Sequence, residues 1–193
     1  ISRQIGLLTG RDTLFPSHHG EPVIIPSHWL ERSDAIRNYE EEFWGAPAPA
    51  EERRKLQRFA DALVADVEKG AGILRELAGS REAYVVVHVT DLYKLGLMRP
   101  KSLDLAYKDF PMNSANMHGL VNTVKRFTAE NNYKTYTLQS LTDRAVRGYF
   151  LSTGQDTLLA QMLPFTETRP LELTSIQLIY QHGGYWVYKI PSI

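Results

Sequence analysis

The sequence predicts an α+β domain. The expected sheet is mixed or antiparallel, of four to five strands, with a long amphipathic helix packed on one face and a C-terminal β-hairpin. Three observations predict it. Apolar residues from Leu56 to Leu77 recur at spacings of three and four, the period of one helix face. Tyr84 to Thr90 is short, rich in β-branched residues and apolar on both alternations, as a strand covered on both faces would be. Gly183-Gly184 separates two strand-like runs and supplies the positive φ that a tight hairpin turn demands. A three-layer α/β fold is the alternative, because the strands at 84–90, 133–139 and 172–180 are separated by helical segments.

The elements follow in order. Gly10, Pro16, Gly20, Pro22 and Pro26 punctuate residues 1–26, which predicts an extended, proline-stiffened arm with a short edge strand at Pro22–Ile25. Residues 27–193 then form one α+β domain. Ser27 can cap a helix that runs to Trp44. Gly45 to Ala50 is linker-like, stiffened by Pro47 and Pro49, and marks the best internal break. The long helix covers 50–78, with Gly79 as its stop; Gly70 and Gly72 inside it imply a bend or a close neighbour.

After the strand at 84–90, Pro100 suits the first turn of a short helix that Pro111 ends. Asn113 or Ser114 can cap a helix to Asn131, with Leu120, Val124 and Phe127 on one face. Residues 133–139 alternate as a half-buried strand. Ser140 to Asp143 resembles a capping box and predicts a helix through Phe150 to Gly154. Asp156 caps a last short helix before the hairpin.

Composition bounds the chemistry. The 193 residues suit one domain, and 43% hydrophobic with 23% charged residues allow a sizeable core. Lys plus Arg and Asp plus Glu are 22 each, so the chain lacks the field of a dedicated nucleic-acid binder, and no nucleic-acid partner is expected. The absence of cysteine excludes disulfides, thiolate zinc sites and cysteine nucleophiles. No run approaches the ~18 apolar residues of a membrane span. No secretory signal is visible, and the first residue is Ile1, which suits a processed or truncated form; the composition fits a cytoplasmic or an exported protein alike.

Candidate site residues fall in three places. His18 and His28 lie in a Pro-Ser-His repeat and are the candidate zinc ligands, but their spacing matches no familiar ligand pattern, so no cofactor is expected. His88 and Asp91, at the end of the strand 84–90, are the candidate catalytic base and its orienting carboxylate, provided the chain turns at Asp91. Such a pair would serve a hydrolase, with or without a metal. The commoner role of these residues is a core histidine and a turn or helix cap. No nucleophile elbow or phosphate loop is present. Tyr185, Trp186 and Tyr188 crowd the hairpin, and aromatics with polar tips suit protein interfaces. The function expected is therefore a non-enzymatic binding or assembly module that contacts a protein partner, or itself, through the arm and the aromatic hairpin.

Overall fold

The structure, a computed structural model, describes residues 14, 50–112, 117–142, 144–165, 170 and 173–191. Apart from residue 14, the arm at 1–26, the helix at 27–44 and the linker up to residue 49 lie outside the described residues, and His18 and His28 with them. The described chain is α+β, as expected, but its strands form two three-stranded antiparallel sheets instead of one.

The apolar stripe between Leu56 and Leu77 belongs to two helices, α1 (Ala50–Val64) and α2 (Val67–Ala78). Asp66 makes the break. Its backbone is extended, and its carboxylate accepts the amide of Lys69 at 3.0 Å, so it is the N-cap of α2. The Ala65 carbonyl released by the break accepts the amide of Leu158 at 2.7 Å. Leu158 opens α5 (Leu158–Gln161). Gly70 is why these pieces close so tightly. A Cβ there would lie 2.4 Å from the Ala62 carbonyl oxygen and 2.8 Å from Leu158 Cδ2.

The first sheet has the order β1-β6-β5, from β1 (Ala83–His88), β6 (Tyr185–Ile190) and β5 (Gln177–His182). The second has the order β2-β4-β3, from β2 (Asp104–Pro111), β4 (Ala145–Thr153) and β3 (Thr135–Thr142). In chain order α3 (Asp91–Met98) follows β1 and α4 (Met117–Glu130) follows β2. The helices expected at 101–111 and 140–150 are corrected to strands. Central strand β4 explains the error. Val146 and Phe150 face α4, whereas Tyr149 and Leu151 face the other core, so both alternations are apolar and mimic a buried helix. Thr157, not Asp156, caps α5, accepting the Ala160 amide at 3.4 Å.

Two cores result. The larger lies between α1, α2, α3 and α5 and the inner face of the first sheet, where Val85, Val87, Trp186, Tyr188 and Ile190 are buried. The smaller packs α4 on the second sheet. Phe150, fully buried, sits 5.0 Å from the Phe127 ring and 5.2 Å from that of Tyr133. Lys108 Nζ lies 4.2 Å above the Phe127 ring and closes this core with a cation–π contact.

Tyr188 has no solvent exposure and donates its hydroxyl to the Met162 carbonyl at 2.6 Å, tying β6 to the turn after α5. Burial pushes its phenol well above the ordinary tyrosine value. The folded state therefore holds the proton more tightly than the unfolded chain. The contribution is complete below pH ~10 and is lost as pH rises from there through the folded-state value. The expected result is a steep alkaline loss of stability in a pH series of urea melts. Tyr188→Phe should flatten that slope while costing about 1–2 kcal/mol at neutral pH, since the Met162 carbonyl loses its donor.

A candidate interaction surface

The register of the first sheet sorts its side chains by face. Val85 and Val87 on β1 point inward with Trp186, Tyr188 and Ile190 on β6. The outward positions form three rows across the strands. Tyr84, Lys189 and Gln177 make one, Val86, Val187 and Tyr180 the middle one, and His88, Tyr185 and His182 the third. A bulge at Ile179, where the pairing slips between Leu178 and Tyr180, keeps Tyr180 in the outer set.

This outer face is apolar at its centre and open to solvent. Val86 is 38% exposed, Tyr185 41% and Tyr180 57%. Its one charged residue, Lys189, is already paired with Glu82 at 2.9 Å. Strands with one face in the core normally turn a polar face to water. A middle row of two valines and a tyrosine departs from that rule, and depletion of charge with enrichment of tyrosine marks the core of a protein interface.

The histidine row is fixed from below. The His88 ring packs against Tyr185 with centroids 4.8 Å apart. Its Nδ1 lies 2.8 Å from the Thr90 hydroxyl and accepts the Thr90 amide at 3.2 Å. Nε2 lies 3.4 Å from Nε2 of Gln139, which comes from β3 of the other sheet. Gln139 Oε1 in turn accepts the Tyr149 hydroxyl at 2.9 Å. Burial holds the Tyr149 phenol above its usual value and keeps it a donor through the neutral range. The turn glycine closes the cluster, since a Cβ on Gly184 would lie 2.9 Å from His88 Nε2. Beyond Tyr149 the row continues on the second sheet. Arg147 makes a two-pronged pair with Asp109 at 2.6 and 2.7 Å and lies 4.8 Å from the centre of the Tyr107 ring. That pair holds the Asp109 carboxyl below its ordinary range.

The sequence-predicted residues are distributed as follows. Asp91 accepts the backbone amide of His88 at 2.9 Å and pairs with Lys94 at 3.3 Å. The carboxylate thus ties off the end of β1, while the His88 ring takes its contacts from Thr90, Gln139 and Tyr185. The sheets are antiparallel, so the rule that places ligands at the carboxyl ends of parallel strands has no bearing on this pair. Tyr185 lies on the outer face, whereas Trp186 is 8% exposed and Tyr188 wholly buried, both on the inner one. Val86, Tyr180 and Gln139 belong to the surface without having been singled out. The alternation of both hairpin strands held a signal for Tyr180, but not the choice of face. Among the described residues, no cluster of three or more His, Asp or Glu is placed to hold a metal ion. No described helix is long and apolar enough to cross a membrane.

The family model described as HaoA-associated protein HaoB covers residues 1–190 of the chain. No curated protein and no solved structure matches.

Proposed function

We propose, since the chain belongs to the HaoB family of HaoA-associated proteins, that it is a non-enzymatic accessory protein that binds HaoA through the outer face of its first sheet. The family model's name connects this role with nitrification. The observation that carries the choice of surface is the middle row of Val86, Val187 and Tyr180, in which Val86 is 38% and Tyr180 57% exposed and Val187 half-buried, where a sheet normally shows polar groups. Tyrosine-rich, charge-poor patches of this kind supply the buried anchors of protein interfaces.

Titration of the purified chain into purified HaoA by calorimetry tests the proposal. Saturable binding with a negative heat-capacity change is the expected result, because apolar area leaves water. An absence of binding at concentrations of about 100 μM, which corresponds to roughly −5.5 kcal/mol, would overturn it. The same face in a second copy of the chain is the competing occupant. Sedimentation of the chain alone separates the two, since self-association through this face would show a dimer that HaoA dissociates.

A further inference from the structure

We infer that the HaoA-binding surface runs on from the first sheet onto the second, where Tyr107, stacked on Arg147, is a second anchor for the partner; this rests on the reading of the outer face as the HaoA site. Area is the first reason. The first sheet has three strands of six residues each. At roughly 4.8 Å between strands and 3.4 Å per residue, they outline a patch of about 14 by 20 Å, or about 300 Å². A stable protein complex covers about 800 Å² on each partner. A protein that grips the outer face therefore has to spread beyond it.

The surroundings of the face decide the direction. At one end Lys189 and Glu82 form an exposed pair. Lysine and glutamate are depleted in interfaces, so this end has the character of a rim. At the other end the row of His182, Tyr185 and His88 meets a row of the second sheet. There Gln139, Arg147 and Asp109 are direct cross-strand neighbours, on the face turned away from α4. The Gln139 side chain comes within 3.4 Å of the His88 ring, so the two rows adjoin.

Tyr107 is what the second row presents to a partner. It lies on β2, two residues before Asp109 and on the same face, and is 56% exposed, against 57% for Tyr180. Arg147 supports its ring at 4.8 Å and grips Asp109 with two prongs at 2.6 and 2.7 Å. The guanidinium is thus held in place and its charge is balanced. Tyrosine and arginine are the residue types that most often anchor interfaces. A ring already supported loses less rotamer freedom when it binds. Because Arg147 and Asp109 satisfy each other, the HaoA group that fits here is uncharged: an aliphatic or aromatic side chain laid on the open part of the Tyr107 ring.

Calorimetry with HaoA tests this. Tyr107→Ala should weaken binding about tenfold, with Tm within about 3 °C of the parent, as for a surface change. Tyr107→Phe keeps the ring and should bind within about twofold of the parent. Separate anchors act independently, so Tyr107→Ala added to Tyr180→Ala with Tyr185→Ala should cost a further factor of about ten. Hydroxyl-radical footprinting of the parent chain reads the same contact without any substitution: HaoA should shield Tyr107 as well as Tyr180. Parent-like binding by Tyr107→Ala, or shielding of Tyr180 with Tyr107 left reactive, would overturn the inference and leave the site on the first sheet standing. If HaoA binds and Tyr180 is not shielded, the outer face is not the HaoA site, and the inference falls with it.

Discussion

Replacing Tyr180 and Tyr185 together by alanine is expected to weaken HaoA binding by a factor of about 30 or more, a loss of at least ~2 kcal/mol. The two rings lie in adjacent rows on the outer face and are among its most exposed groups, 57% and 41%. Neither contributes to the buried side of the sheet. Their removal should therefore leave the melting temperature within about 3 °C of the parent. That separation makes the experiment informative. The same substitution at Trp186 or Tyr188, next to them in sequence but facing the core, would cost about 3–5 kcal/mol of folding and say nothing about a partner. An unchanged dissociation constant for the Tyr180/Tyr185 double variant would move the HaoA site elsewhere on the molecule.

The largest stability effect of a single small change is expected at Gly154. It follows β4 with φ at +89°, and a Cβ there would lie 2.5 Å from the Ser102 carbonyl oxygen and 3.1 Å from Leu103 Cα. Both neighbours are backbone, and Leu103 is buried in the larger core, so neither can move aside cheaply. Gly154→Ala combines the strain of an L-residue at positive φ, about 1–2 kcal/mol, with a steric clash. A total of about 3 kcal/mol or more is expected, or roughly 6–12 °C in Tm. Gly72→Ala is the control. Nothing lies within 4 Å of its added methyl, and it sits inside α2. There the same glycine-to-alanine change should stabilise by about 0.5–1 kcal/mol. Thermal melts that placed both variants on the same side of the parent would refute the assignment of the Gly154 turn.

Local patterns revealed much of this fold, and their failures have physical causes. The Gly183-Gly184 hairpin and the helix ending near Asn131 follow from turn chemistry and a one-faced stripe, both short-range signals. The break at Asp66 was signalled too, by an aspartate followed by Glu68, but the apolar stripe stays in phase across it and masks the interruption. Strand β4 was misread because it is covered on both sides, by α4 and by the larger core. Burial on every face erases the difference between a period of 2 and one of 3.6. At the surface, the hairpin drew attention to Tyr185. Tyr180 joins it only through the bulge at Ile179 and the β5–β6 register. Gln139 lies 51 residues from His88, and a contact between two sheets leaves no trace in the spacing of either residue.

The bulge at Ile179 has one more effect. Gln177-Leu178-Ile179-Tyr180-Gln181-His182 carries no lysine and no proline, the residues that usually discourage a border strand from recruiting another chain, and among the described residues β6 is its single strand neighbour. A straight ribbon of that composition would template fibril growth. The extra residue interrupts the run and twists its rim, which works against backbone pairing with another chain beside the displayed tyrosine.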